Sequence, residues 1–425
     1  MTIEELYRVF LSHPGVQTDT RKLKKGDLFF ALKGDNFNGN QFAAAAIEAG
    51  AAYAVIDDPS FAMEGKTILV ENVLTSLQQL AKFHRSRFDI PVIAITGSNG
   101  KTTTKELVHA VLSRRWHTYT TEGNLNNHIG IPLTLLKIRP DAEIAVVEMG
   151  ANHQKEIESY CTYTLPTHGI ITNCGKAHLE GFGGVEGIRK GKGELFDYLR
   201  TRFGTAFIMR DYDYLRTMSN GLGQVISYGT ADADYTGVVE SSEPFLRVQM
   251  TGGPVTGSIH TQLVGDYNLP NVLVAVAVGH HFRVDPKDII SAIETYSPSN
   301  SRSQLVQKDS NTIILDAYNA NPSSMKLAVD NFARLHADNK VLVLGAMAEL
   351  GDESLAEHTA LVEQITQHNW KAVLLVGGDF NRIKHPYHAF QDAAAAKQWL
   401  KEQQFEHAHW LVKGSRSMKM ETILD

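Results

Sequence analysis

The stretch Ile90-Pro-Val-Ile-Ala-Ile-Thr-Gly-Ser-Asn-Gly-Lys-Thr-Thr-Thr-Lys-Glu106 constrains this chain more than any other. Residues 92–95 are a short apolar run and read as a buried strand. Gly97 and Gly100 interrupt the run, and residues 102–114 then place Leu107, Val108, Val111 and Leu112 at helical spacing. Strand, glycine turn and helix, in that order, are the setting of a phosphate-binding loop. Backbone N–H groups at the helix start point at the anion, Lys101 adds a point charge, and the Thr102 hydroxyl can ligate Mg²⁺. Gly97, Ser98, Asn99, Gly100, Lys101, Thr102 and Thr103 are therefore candidates for holding nucleotide phosphates. Ile95 stands where the common pattern has a glycine, so the loop is a variant hinged on Gly97 and Gly100. The competing reading is a glycine turn that happens to precede Lys-Thr. The complete strand–loop–helix context favours the phosphate loop.

A chain of 425 residues has room for two to four domains at roughly 100–200 residues each. The formal net charge is −6 and no long basic run occurs, which argues against nucleic acid or an anionic membrane as the main partner. The longest apolar stretch, near Val272 to Val278, is far shorter than the ~20 residues that span a bilayer. The opening Met1-Thr-Ile-Glu-Glu is acidic and shows no secretory signal. Cys161 and Cys174 are the only cysteines, too few for a disulfide framework. The expectation is a cytoplasmic protein.

Residues 1–89 read as a small α/β unit, with strands at 28–32 and 52–56 and a helix at 42–49. Arg21 and Lys33 could bind a phosphorylated or uridine-like group there, or be ordinary solvated charges. Residues 90–297 form a central unit. Within it, the stretch from Thr121 to His128 is a polar, glycine-containing loop of the kind that carries function. Strands at 144–150 and 169–173 bring Glu148 and His178 to carboxyl ends, where open α/β sheets bind ligands. Beside a phosphate loop they are candidate metal ligands; taken singly, each could be structural. Residues 186–199 read as a helix whose Arg189, Lys190 and Lys192 look like a solvated face. Asn271 opens an apolar helix and could bond a base or cap the helix. Residues 298–425 alternate strands (312–315, 341–344, 373–376, 410–412) with helices, as in a doubly wound parallel sheet. Asp316, Asn319, Asn321, Glu349, Gly377 and the stretch from Lys413 to Arg416 follow those strands and would line one crevice. The boundary near 298 falls in Tyr296-Ser-Pro-Ser-Asn-Ser301, a linker composition.

Taken together, these stretches resemble the Mur ligases of peptidoglycan synthesis over nearly the whole chain. The resemblance rests on the phosphate loop, Gly123-Asn-Leu-Asn-Asn-His-Ile-Gly-Ile-Pro132, Val147-Glu-Met-Gly-Ala-Asn152 and Thr172-Asn-Cys-Gly-Lys-Ala-His-Leu-Glu-Gly-Phe-Gly183. It continues through Gly265-Asp-Tyr-Asn-Leu-Pro-Asn271, Asp316-Ala-Tyr-Asn-Ala-Asn-Pro322, Gly345-Ala-Met-Ala-Glu-Leu-Gly351 and Val412-Lys-Gly-Ser-Arg416. Asn38-Gly-Asn40 stands where relatives often show Asp-Gly-His.

The resemblance implies a three-domain α/β protein. It would have a small N-terminal α/β domain, a central P-loop-type mononucleotide-binding α/β domain and a C-terminal Rossmann-like α/β domain. The implied activity is ATP- and Mg²⁺-dependent addition of D-alanyl-D-alanine to UDP-N-acetylmuramoyl-tripeptide, in a monomer acting without nucleic acid or membrane. Residues 1–89 would hold the UDP end, 90–297 ATP and Mg²⁺, and 298–425 the dipeptide. By the same resemblance Lys101, His178, Lys192 and Arg302 are catalytic. Thr102, Glu148, His178 and Lys192 hold metal, with Lys192 carbamoylated, which replaces its solvated-face reading. Asn271 faces adenine, Asp316 the ribose, and Arg302 the phosphates. Thr20, Arg21, Lys33, Asn124, Asn126 and Asn127 would meet the nucleotide substrate. Tyr318, Asn319, Asn321, Lys413, Ser415 and Arg416 would serve the amine side. The alternatives are a non-catalytic nucleotide-binding scaffold, or a sibling ligase that adds another amino acid or acts on folate.

Overall fold

The apolar run Val92–Thr96 is buried along its whole length because parallel strands pair with it on both sides. In the computed structural model, which describes residues 1–299 and 301–425, it lies inside a nine-stranded sheet. From one edge the order is Gly257–His260, Arg247–Gly252, Tyr235–Ser241, Gln224–Gly229, Thr205–Met209, His168–Ile171, Val92–Thr96, Ile144–Glu148 and Thr118–Thr120. The last seven strands in that order are mutually parallel, and the Arg247–Gly252 strand pairs antiparallel on both sides. Register sets Ile95 opposite Glu148 and Thr96 opposite Ile171. The phosphate loop, Glu148 and the segment after Ile171 therefore leave the sheet at one level.

Helix Leu269–His281 is apolar all round and buried from Val272 to Gly279, packed against helix Lys101–Leu112. Two helices missing from the sequence reading, Asp213–Met218 and Pro286–Thr295, complete this region.

The first 90 residues build a parallel sheet of Val16–Gln17, Leu28–Phe30, Tyr53–Ile56 and Thr67–Leu69. Alternation divides its side chains. Phe29, Ala54 and Ile56 pack against the alanine-rich helix Ala43–Glu48, while Leu28, Phe30 and Val55 join a core shared with the nine-stranded sheet. Helix Val73–Arg85 makes the joint, and its final residue is a buried cation. Arg85 donates to the carbonyls of Thr164 (3.1 Å), Leu165 (3.3 Å), Phe88 (2.5 Å) and Ile90 (3.2 Å).

The third sheet runs Gln304–Lys308, Asn311–Asp316, His409–Lys413, Lys340–Gly345, Ala372–Val376 and His388–Phe390. It is parallel except at one edge, where Gln304–Lys308 pairs antiparallel with Asn311–Asp316. The wholly parallel reading missed that strand because a two-residue turn, with Asp309 at φ 53°, folds it straight back. The linker reading at 296–301 includes Asn300, which lies outside the described residues. Among the described residues no helix is long and apolar enough to cross a membrane.

Arg85→Ala should lower the unfolding free energy by about 3 kcal/mol, because four carbonyls at the joint lose their donor. Urea unfolding checks this, and an unshifted midpoint would show that the joint does not depend on Arg85.

Candidate functional site

Two glycines set the shape of the phosphate loop. Gly97 has φ 142°, and a Cβ there would lie 2.0 Å from Thr172 Oγ1. Gly100 has φ 77°, and its Cβ would meet Asn271 Oδ1 at 2.8 Å. The segment after the neighbouring strand holds the loop. Ser98 N–H donates to Asn173 O (2.9 Å), Ser98 Oγ to Gly175 O (2.7 Å), and Thr172 Oγ1 to Asn99 O (2.6 Å). Lys101 curls over the loop, its Nζ donating to Gly97 O (2.8 Å) and Ser98 O (3.2 Å). Burial lowers the proton affinity of Lys101, and Glu148 opposes that effect.

Glu148 is buried at the end of its strand. Its Oε2 accepts from the Thr102 hydroxyl (2.9 Å) and its Oε1 from Asn126 Nδ2 (2.7 Å). Carboxylate and hydroxyl oxygens side by side suit a hard divalent cation. His178, held at φ 53°, reaches the same cavity. Its Nδ1 lies 2.5 Å from Glu349 Oε2, and the imidazole holds the Glu349 carboxyl below its usual range.

Lys192 does not belong to a solvated face. It is buried with Ile188, Leu195 and Leu199 on the inner side of helix Val185–Thr201. Its Nζ donates to Ala151 O (2.9 Å) and lies 4.7 Å from the Phe182 ring centroid. Burial, helped by Lys101, pushes its amine down to about 7. Ala151 lines the cavity, and Lys192 stands behind it.

That cavity, of about 710 Å³, opens between the central and third sheets. Ser98 through Thr103, Asn126, Asn127, Glu148, His178 and Asn271 line it from the central side. Arg302, Asp316, Tyr318, Asn319, Asn321 and Lys413 line it from the third sheet. The Arg302 guanidinium stacks 3.5 Å from the Tyr318 ring centroid. Asn321 caps helix Pro322–Arg334 with Oδ1 and donates through Nδ2 to Asn99 Oδ1 (2.7 Å), so it touches the phosphate loop directly.

Other assigned residues have different employment. Lys413 is buried and paired with Asp316 at 2.5 Å, so its charge is already met. Ser415 is buried and donates to Ala346 O (2.6 Å). Arg416 pairs with Glu421 at 3.0 Å. The Asn271 amide joins Thr104 (3.0 Å) to Asn268 (2.8 Å), bracing the loop from behind. Thr20, Arg21, Lys33 and Asn124 are not on the cavity wall. Arg21 is exposed beside Asp19 (2.8 Å), and Lys33 pairs with Asp57 (2.9 Å). Asn40, where relatives often show histidine, is buried and also donates to Asp57 (2.9 Å).

Sequence reasoning gave no role to Asn173, Lys176, Ser323 or Glu357. Asn173 Oδ1 accepts from Asn99 N–H (3.1 Å). Lys176 bridges the sheets, its Nζ on Glu357 (2.5 Å) and its N–H on Ser323 Oγ (2.8 Å). Asn173 and Lys176 lie in the quoted stretch from Thr172 to Gly183, so the signal was in view without a partner to interpret it.

Family models match in chain order. The Mur ligase family catalytic domain covers residues 14–85, the Mur ligase middle domain 95–279, and the Mur ligase glutamate ligase domain 301–416. A curated Bacillus subtilis relative, UDP-N-acetylmuramoyl-tripeptide–D-alanyl-D-alanine ligase, is 35% identical over 96% of this chain and 92% of its own length. The chain belongs to the Mur ligase family. An Escherichia coli Mur ligase of the same name is 36% identical, covering 99% of this chain and 95% of its own. A solved structure of MurF from Acinetobacter baumannii has a TM-score of 0.89 at 31% identity, covering 99% of this chain and 97% of that one. MurF ligase from Thermotoga maritima in complex with ADP gives 0.87 at 25% identity, covering 98% and 97%. The three-domain α/β fold is thus that of a Mur ligase.

Gly97→Ala forces a methyl group against Thr172 Oγ1 at a backbone position with φ 142°. The expected result is at least a ~10-fold loss of ATP affinity by calorimetry, with the cooperative melt retained. Unaltered affinity would mean that the loop does not seat the phosphates.

Proposed function

We propose that this Mur ligase joins D-alanyl-D-alanine to UDP-N-acetylmuramoyl-tripeptide, with ATP hydrolysed to ADP and phosphate, in peptidoglycan precursor synthesis. The carrying observation is the single cavity where the phosphate loop, the Thr102–Glu148 pair and the wall of the third sheet meet. The near-full-length likeness to ligases of that name supports the same reading.

A carboxylate does not react with an amine at neutral pH. Transfer of the γ-phosphoryl group of ATP to the tripeptide's terminal carboxylate makes an acyl phosphate, a far better electrophile. The dipeptide amine then attacks the acyl carbon, and phosphate leaves. Loop N–H groups and Lys101 bind the phosphates; Arg302, steadied on Tyr318, adds positive charge from the opposite wall. The oxygens of Thr102 and Glu148 fit Mg²⁺, with His178 and a carbamoylated Lys192 as the further ligands. Mg²⁺, when bound, supplies neutralisation of charge on the transferring group. An amine pushed down to about 7 gives Lys192 the neutral form that carbamoylation requires. Met209, Tyr212, Leu269, Pro270 and Leu327 offer an apolar surface for the base.

We assign residues 1–89, with Thr20, Arg21 and Lys33, to the UDP end, 90–297 to ATP and Mg²⁺, and 298–425 to the dipeptide. Asn124, Asn126 and Asn127 are assigned to substrate binding, and Asn126 and Asn127 line the cavity. Asp316 is assigned to the ribose and Asn271 to the adenine side. Lys413, Ser415 and Arg416 shape the amine side, Lys413 through its pair with Asp316. The protein acts as a cytoplasmic monomer and uses neither nucleic acid nor membrane. A scaffold without catalysis has no reason to keep Glu148, His178 and a buried Lys192 together.

The test is phosphate release with each substrate omitted in turn. Release should require ATP, the UDP-linked tripeptide and D-alanyl-D-alanine together. Lys101→Ala should cut it by a factor of ~100 or more in a folded protein. Equal release with other amino acids in place of the dipeptide would reassign the enzyme to a sibling reaction.

A further inference from the structure

Glu349 follows strand Lys340–Gly345 of the third sheet, yet its side chain ends on the central one. Its Oε2 stands 2.5 Å from Nδ1 of His178. No other group among the described residues hydrogen-bonds this nitrogen. Both residues are held at positive φ, 53° for His178 and 60° for Glu349, a conformation that side-chain-bearing residues adopt at a cost.

Neighbouring contacts hold the two backbones in place. Lys176 pairs with Glu357 (2.5 Å), and its N–H donates to Ser323 Oγ (2.8 Å). Gly351, at φ 54°, packs so closely that a Cβ there would meet Glu180 Cβ at 3.1 Å. His178 lines the cavity, whereas Glu349 does not.

An imidazole that binds a metal through one nitrogen is oriented through the other, most often by a carboxylate. We propose that Glu349 is the positioning residue for His178. The third sheet brings this carboxylate to Nδ1, which leaves Nε2 as the nitrogen free for the cation held beside Glu148. This inference rests on the reading of His178 as a metal ligand. It adds that the cation site is completed by a residue from the opposing sheet, so metal affinity and docking of that sheet are coupled.

The test uses Mn²⁺ in place of Mg²⁺, titrated onto the full chain with a non-hydrolysable ATP analogue and followed by electron paramagnetic resonance. Glu349→Gln removes the charge at constant size. Glu349→Ala removes both charge and reach. Glu357→Ala cuts the neighbouring latch but leaves the His178 partner in place. Glu349 is half-exposed, so these variants should fold, and a melting curve verifies each one.

Both Glu349 variants should weaken Mn²⁺ binding by ~10- to 100-fold, and Glu357→Ala should leave it unchanged. Two results overturn the proposal: Mn²⁺ binding that falls in His178→Ala but not in the Glu349 variants, or an equal fall in Glu357→Ala, which would make docking alone responsible. If His178→Ala itself leaves Mn²⁺ binding intact, the metal reading of His178 fails and the proposal falls with it, a result distinct from the other two.

Discussion

The hydrogen bond from Thr102 to Glu148 fixes the frame of the site. It ties the first turn of helix Lys101–Leu112 to the end of strand Ile144–Glu148. A carboxylate this deeply buried is tolerable only with its oxygens engaged. Asn126 takes the second oxygen, and Thr121 Oγ1 accepts from the Glu148 N–H (3.0 Å). The polar loop 121–128, the phosphate loop and the strand end are thereby locked to one another before any ligand arrives.

Ligase chemistry needs two reactants besides ATP, and this fold brings the walls for them from different sheets. The nine-stranded sheet supplies the phosphate loop at its carboxyl edge, where open α/β sheets bind ligands. The third sheet presents the residues after its own strands to the same space: Asp316, Asn319, Asn321 and Lys413. Polar links are part of its docking. Asn321 meets Asn99, Lys176 meets Glu357, and Arg334 meets Asp266 at 2.7 Å. The apolar cluster that joins the first sheet to the nine-stranded one also takes in Met325, Val329, Phe332 and Leu344 of the third unit, and Arg85 closes the first joint. Polar links of this kind suit a site that must admit and release substrates.

The phosphate loop was legible because glycine, lysine and helical periodicity are all local signals. Lys192 was not read from its own sequence, although the cue existed. Ile188, Leu195 and Leu199 form an apolar stripe, and position 192 falls on it. A lysine on that stripe is buried, whatever its charge suggests. Lys413 and Asn271 were legible as site residues but not in their partners, because Asp316 and Thr104 are far away in sequence. The pairing of Glu349 with His178 depends on two left-handed backbone positions and on the docking of separate sheets, and no periodicity encodes either. The antiparallel edge strand Gln304–Lys308 was hidden by its polar, half-exposed composition.

In the proposed reaction this cavity activates a carboxylate by phosphorylating it. Tripeptide labelled with oxygen-18 in both oxygens of its terminal carboxylate reports on that step. In an acyl phosphate one of those oxygens is bonded to phosphorus, and it leaves with the phosphate when the amine attacks the acyl carbon and the C–O bond breaks. Phosphorus NMR of the released phosphate should show a single oxygen-18 per molecule. Phosphate free of label would mean that ATP is hydrolysed by water and that no acyl phosphate forms.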